Sequence, residues 1–373
     1  MRGTVSKKRD RWYICYYVGK DANGKWKQKW EGSWATKREA ERALRARIDE
    51  LESTFERKAD NSTVAVFLRH WLKEVCEPRL AANTVRGYRV NIENHIIPHI
   101  GSIPLNRLQP KDLQKLYDDL AAAGLSGASV RYVHNNLHRA LRYAVRSQVL
   151  TKNAADFVEP PRKGSFEASV LTPEQVKALL HACNDTEVFL PILLAVSLGL
   201  RRGEALGLQW ECVDLNANTV TITRSASFRN GGIELSTTKT KNSRRTLLMP
   251  DALHDALERA RSRQADAARF LGAAYNPLHL VCCRLDGQPM TSCALHHLFH
   301  EALDAAALPS IRFHDLRHTN ATLMLRNAVP AKIVSSMLGH SSVGITLDTY
   351  SHVITEMQEG AVGVMDGLLK GIS

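Results

Sequence analysis

The 373-residue chain carries 50 Lys and Arg against 38 Asp and Glu, a formal net charge of +12 at pH 7, which suits a polyanionic partner. Its 44% apolar content fills two or three cored domains and excludes a disordered chain. Seven cysteines without metal-ligand or disulfide spacing point to reduced thiols in a cytoplasm, and no segment has the length and apolarity of a membrane span.

Residues 1–57 read as a small separate module. Trp12 to Val18 has strand composition, and Asn23-Gly24 is a hairpin turn signal. Lys25 to Trp30 returns as an alternating strand. It puts Lys25, Lys27 and Lys29 on one face and Trp26 and Trp30 on the other. Thr36 and Glu39 form a capping box, and Ala40, Ala43, Leu44, Ile48 and Leu51 follow at helical spacing, placed to cover the aromatic face. A sheet that presents lysines can enter a major groove; a solvated edge that deters aggregation is the bland alternative.

After a polar joint from Arg57 to Ser62, residues 63–158 read as four helices. Val66, Phe67, Trp71, Leu72 and Val75 line the first. Asn83 to Tyr88 begins the second, Leu108 to Asp112 opens the third, and Ser129 to Ser147 is the fourth, studded with Arg131, His138, Arg139, Arg142 and Arg146. Thr84, Arg86, Arg89, Arg139 and Arg142 are candidate contacts to the backbone of a polyanionic partner, although helix arginines also serve simply as solvated surface. Residues 159–169, with consecutive prolines followed by Gly-Ser, form a linker.

The last domain, 170–373, opens at Thr172-Pro-Glu-Gln175, a capped helix start. Val188 to Leu200 is apolar enough for a buried helix, ended by Gly199. Arg201 and Glu204 then stand three apart and can share a face. Thr219 to Arg224 alternates as a strand, and Leu235 to Leu248 holds two more strands about a turn bearing Lys239 and Lys241. Leu253 to Phe270 is another helix. His296, His297 and His300 crowd the next one, without a Cys or carboxylate at ligand spacing, so no metal site is expected. His314, Arg317 and His318 follow, then Leu338-Gly-His340, then Tyr350. Arginine forks grip phosphate oxygens bidentately, histidines move protons, and a phenol can form a covalent intermediate. Those are the parts needed to hold and attack a phosphodiester. Beyond Tyr350, Met357, Ala361, Val364, Met365 and Leu368 form an apolar helical stripe.

The order Arg201, Lys239, His314-x-x-Arg317, His340, Tyr350 resembles the catalytic set of the tyrosine recombinase (phage integrase) family, closely over the last two hundred residues and more loosely before them. The resemblance implies a multidomain α+β chain. An arm-type DNA-binding module of three strands and one helix precedes a four-helix core-binding domain and a mainly helical catalytic domain with a small antiparallel sheet. It implies Tyr350 as nucleophile, Arg201 and Arg317 as phosphate clamps, and Lys239, with Lys241 as the less favoured choice, as the acid for the departing 5′ oxygen. His314 would assist proton transfer at Tyr350 or at the phosphate, His340 would donate to a non-bridging oxygen, Glu204 would orient the local hydrogen-bond network, and His318 would be structural. The expected activity is metal- and ATP-independent site-specific recombination of double-stranded DNA by a homotetramer in a bacterial cytoplasm, integrating or excising a mobile element. Accessory DNA-bending or directionality proteins are further expected partners, and the tail stripe either packs on its own core or, as the resemblance implies, docks on a neighbouring protomer. The alternatives are relaxation of the type IB topoisomerase kind and a resolvase or regulator role.

Overall fold

Local signals start each element of the N-terminal module. A computed structural model of the chain describes residues 3–8, 10–20, 26–59, 62–161, 169–229, 232–237, 244–351 and 369–370. Strands β1 (Gly3–Lys8), β2 (Arg11–Lys20) and β3 (Trp26–Trp34) form an antiparallel sheet in that order, and helix α1 (Lys37–Ala59) packs on it. The expected capping box is present: Thr36 N–H donates to the Glu39 carboxylate, and Glu39 N–H to the Thr36 hydroxyl. Ile14, Tyr16 and Ala40 are buried together, with Trp12, Trp34 and Leu44 packed against them.

One expectation fails here. Trp30 is not under the helix; it is exposed, with the Lys8 ammonium 4.1 Å from its ring centroid. The cause is a bulge. Cys15 pairs with Trp30 and Trp12 with Trp34, so three steps along β2 match four along β3. The extra residue reverses the alternation, and Trp34 rather than Trp30 reaches the core. Gly32 makes the bulge possible: its φ is +90°, and a Cβ there would lie 1.8 Å from the Trp34 ring. Of the predicted lysine face, Lys29 is exposed and 3.1 Å from Glu31. Lys25 and the Lys27 side chain lie outside the described residues, as does the Asn23-Gly24 turn.

The second domain has its own core. Helices α2 (Val64–His70), α3 (Ala82–Val90), α4 (Ile97–Ile100), α5 (Pro110–Ala122) and α6 (Gly127–Arg146) surround Phe67, Trp71, Ile92, Leu113, Leu137 and their neighbours. Trp71–Cys76 and Asn91–Ile96 continue α2 and α3 as π-helical turns. Val66, expected on the inner face, is exposed; Val64, Phe67, Leu68 and Trp71, at i, i+3, i+4 and i+7, form the buried stripe instead.

The chain divides into two compact units between Phe166 and Glu167. In the second unit α7 (Pro173–Ala182) carries the expected Thr172–Gln175 box. Buried α8 (Phe189–Leu198) ends at left-handed Gly199, and α9 (Arg202–Leu206) starts three residues later. Strands β4 (Val213–Asp214), β5 (Thr219–Ile222) and β8 (Arg245–Leu248) form one antiparallel sheet, ordered β4-β5-β8, while β6 (Arg224–Arg229) and β7 (Gly232–Thr237) form a separate hairpin. Helices α10 (Asp251–Leu271), α11 (Ser292–Ala305) and α12 (Asp315–Arg326) complete the body. Helices α13 (Ala331–Leu338) and α14 (Val343–Thr349) follow. The core runs through Leu193, Leu206, Val220, Leu257, Phe299 and Leu316.

Candidate active site

Three arginines meet at one helix end. The last carbonyls of a helix have no partner within it and sit at the negative end of its dipole. At the C-terminus of α13 three successive carbonyls each accept from a different guanidinium. Arg245 Nε donates to Met337 O at 2.6 Å, Arg317 Nη2 to Leu338 O at 2.7 Å, and Arg201 Nη2 to Gly339 O at 3.3 Å. Arg317 Nη1 also donates to Gly199 O at 2.7 Å. The two predicted clamps, far apart in sequence, thus face the same turn.

Glu204 binds the cluster from beneath and is 3% exposed. Its carboxylate accepts from Arg201 Nη1 at 2.8 Å and Arg245 Nη2 at 2.9 Å, and takes the Arg201 backbone N–H at 3.0 Å. Burial pushes this carboxyl up, but the hydrogen bond and charge of Arg245, followed by those of Arg201, outweigh burial and hold it below the usual range. Three guanidiniums against one carboxylate leave an excess of two positive charges. Arg317 is 2% exposed; burial, then repulsion from Arg201, lowers its proton affinity, and Glu204 opposes that. A guanidinium nevertheless stays charged at neutral pH.

The turns that deliver these groups depend on glycine. Gly199 (φ +63°) and Gly339 (φ +66°) are both left-handed helix caps. Asn320 of α12 supports the first: its side-chain amide donates to Val196 O at 2.7 Å and Ser197 O at 3.1 Å, the last turn of α8. One helix therefore carries Arg317 and also fixes the turn from which Arg201 departs.

Tyr350 stands at the end of α14, only 2% exposed. Burial pushes its hydroxyl up to about 12, with Arg317 working the other way. Its hydroxyl lies 2.9 Å from His318 Nδ1. His318, expected to be structural, is thus the histidine on the phenol, and His314 is not. His314 precedes α12, with its ring edge-on to His318 at 5.2 Å between centroids. His340 Nδ1 lies 2.8 Å from the Thr346 hydroxyl. Burial, and after it nearby charge, holds both His314 and His340 down to about 4. The neighbouring charge comes from His318 and then Arg317 for His314, and from Arg317 and then Arg201 for His340.

Five of the predicted residues, Arg201, Glu204, Arg317, His340 and Tyr350, are gathered about the ends of α13 and α14, and His314 flanks them. Lys239 and Lys241 lie outside the described residues, as does the tail stripe from Met357 to Leu368. Arg245 was given no role by the sequence, and His318 only a structural one. Strand alternation with buried Leu247 was the available signal for Arg245; position alone gave none for His318. Near α11, and elsewhere among the described residues, no three His, Cys, Asp or Glu side chains converge as metal ligands.

The helical domain holds a second basic feature. Arg79, Arg139, Arg142 and Arg146 line an open cavity of about 370 Å³ floored by Trp71 and Tyr143. Arg139 donates to the Tyr88 hydroxyl. Arg86 is exposed, Thr84 is half-buried, and Arg89 is paired with Glu77 at 2.5 Å.

A surplus of fixed guanidinium charge beside a phenol suits attack on a phosphate ester, and the comparisons with known proteins show a tyrosine-type, DNA strand-transferring enzyme. The chain belongs to the phage integrase family, whose model ("Phage integrase family") matches residues 169–357; it is a site-specific recombinase. A model described as "Phage integrase, N-terminal SAM-like domain" matches 63–121, and an "Arm DNA-binding domain" model matches 4–51. A "tyrosine recombinase XerC-like" protein of Caldanaerobacter subterraneus subsp. tengcongensis is 27% identical over 98% of both chains. An integrase of Streptomyces ambofaciens is 29% identical over 97% of this chain and 95% of its own. Among solved structures, the Tn1549 transposon integrase in complex with circular intermediate DNA matches with a TM-score of 0.67 at 20% identity, covering 80% of this chain and 99% of that one. A lambda integrase tetramer bound to a Holliday junction matches at 0.57 and 19% identity, covering 91% and 95%. These likenesses establish a shared fold.

Proposed function

We propose that Tyr350 is the nucleophile of a two-step strand exchange. Its oxygen attacks the scissile phosphorus in line, forming a 3′-phosphotyrosyl link and releasing a 5′ hydroxyl. That hydroxyl, or one from a partner duplex, then attacks the link and restores the phosphodiester. Bond energy stays in the covalent joint, so the exchange draws on neither ATP nor a metal. The observation that carries this reading is the triple arginine contact at the end of α13, an anion site beside the Tyr350 phenol. A guanidinium has five N–H groups, so Arg201 and Arg317, held in place by these carbonyls, keep donors for phosphate oxygens, and charge that builds on phosphorus is met by guanidiniums already fixed in place. Losing one such donor typically removes about 3–4 kcal/mol of transition-state stabilisation.

In this reading His340 donates from Nε2 to a non-bridging oxygen, with Nδ1 accepting from the Thr346 hydroxyl to set that tautomer. Lys239, by its place in the sequence, protonates the leaving 5′ oxygen. Arg79, Arg139, Arg142 and Arg146 hold phosphates of the flanking duplex. The N-terminal sheet reads separate arm sites, and four copies assemble on paired sites in a bacterial cytoplasm; the lambda integrase tetramer on a Holliday junction supports that stoichiometry.

The test is to incubate the full chain with DNA from its own element and host, trap covalent complexes in detergent, and sequence the linked ends. The expected result is a recurrent staggered cut at two related sites whose strands become joined to each other. Scattered cuts accompanied only by loss of supercoils would favour a topoisomerase and overturn the proposal.

A further inference from the structure

The phenol that must lose its proton is buried against one imidazole, not against the histidine that the sequence singled out. Tyr350 Oη and His318 Nδ1 are 2.9 Å apart, with their rings tilted at 5.7 Å between centroids. A group placed to take a proton has to lie within hydrogen-bond reach of it, and His318 meets that condition in the described structure. We propose that His318 is the proton acceptor for the Tyr350 hydroxyl. The phenol proton passes to His318 Nδ1 as the Oη–P bond forms and the P–O5′ bond breaks. It returns to the phenol oxygen when a 5′ hydroxyl reverses the step. The proton for the departing 5′ oxygen comes from a separate acid, the part proposed for Lys239, so each transfer is closed. This inference rests on Tyr350 being the nucleophile.

The surroundings suit the role. His318 is half-buried on α12, faced from its own segment by Arg312, His314, Asp315 and Arg317, and from α13 and α14 by His340 and Tyr350. Burial, and then the arginines against Asp315, leave the ring neutral near neutral pH, the form that can accept. Once protonated, it would be an imidazolium one hydrogen bond from the oxygen that becomes the aryl phosphate ester, and close to Asp315.

The test is single-turnover adduct formation on a nicked duplex that traps the covalent complex, comparing wild type, His318→Gln and His318→Asn, with DNA affinity and melting temperature measured alongside. The expected result is a loss of about 10²-fold or more in adduct rate with binding retained, and loss of the acid limb of the pH–rate profile. A substrate with sulfur at the 5′-bridging position leaves without needing a proton. It should rescue Lys239→Ala but not His318→Gln. Should the His318 variants fail to fold, 3-fluorotyrosine at position 350 in the otherwise unaltered chain decides the matter. The acid limb stays in place if it belongs to His318, and it moves with the phenol if the proposal is wrong. A His318→Gln chain within about threefold of wild type, or one rescued by the sulfur substrate, overturns the proposal. A wild-type chain that forms no adduct at all overturns the functional reading instead.

Discussion

Removing the Glu204 carboxylate should unfold the arginine cluster's own foundation. In Glu204→Ala, Arg245, whose side chain is 7% exposed, and Arg317, 2% exposed, keep their positive charges in a buried setting without the carboxylate that Arg245 and Arg201 share. Four hydrogen bonds disappear: those from Arg201 Nη1 and N and from Arg245 Nη1 and Nη2. Breaking a buried ion pair from one side costs about 3–5 kcal/mol, because the surviving charge is left uncompensated. For a unit of this size each kcal/mol lowers the melting temperature by about 2–4 °C, so the transition of the second unit should fall by about 6–20 °C. Glu204→Gln keeps the shape but removes the charge and should fall by less. Calorimetry on the full chain, resolving the two units, measures both. The acid side gives a second check. Glu204 has a depressed carboxyl, so its contribution is present above the ordinary carboxylate value and is lost as pH drops through the folded value. The difference between wild type and Glu204→Gln should therefore shrink towards acid. A shift under about 2 °C in both variants would refute the view that this carboxylate holds the cluster together.

Other outcomes follow from the same geometry. Arg317→Lys replaces a fork that spans Gly199 O and Leu338 O with a point charge; adduct formation should fall by about 10²–10³-fold while DNA binding changes little. Gly199→Ala should destabilise by more than about 1 kcal/mol in urea titrations, since φ is +63° and the new Cβ would meet Leu338 Cδ2 at 2.4 Å. His340, half-buried, is held to about 4, while in the unfolded chain it protonates near an ordinary value of about 6.5. Stability should decline as pH falls through about 6.5 and stop declining from this source below about 4, and His340→Gln should flatten part of that slope in urea midpoints. Arg79→Ala combined with Arg142→Ala should make log affinity fall less steeply with log salt, by about one unit of slope for each phosphate no longer neutralised.

The sequence was most legible where the cause is local. Thr36 with Glu39 and Thr172 with Gln175 start helices through contacts three residues long, and both boxes stand as expected. The glycine caps before Arg201 and His340 are equally local. Trp30 was misread because one inserted residue at Gly32 reverses a strand's alternation, and a period-two pattern does not register an insertion that small. Arg245 escaped notice because its partner Glu204 lies 41 residues earlier and meets it only once β8 is paired. His318 was read as structural; it follows Arg317 directly, and adjacent helix positions point in different directions. Its direction acquires meaning only when α14 brings Tyr350 to it across 32 residues.

If Tyr350 is the nucleophile, its oxygen becomes the phosphorus ligand that holds the cut strand. Digesting the trapped protein–DNA complex and sequencing the nucleotide-bearing peptide by mass spectrometry tests it directly. The expected result is a single modified peptide with a 3′-phosphate on Tyr350, absent from Tyr350→Phe although that variant still binds DNA. A nucleotide found on any other side chain, or persisting in Tyr350→Phe, would contradict it.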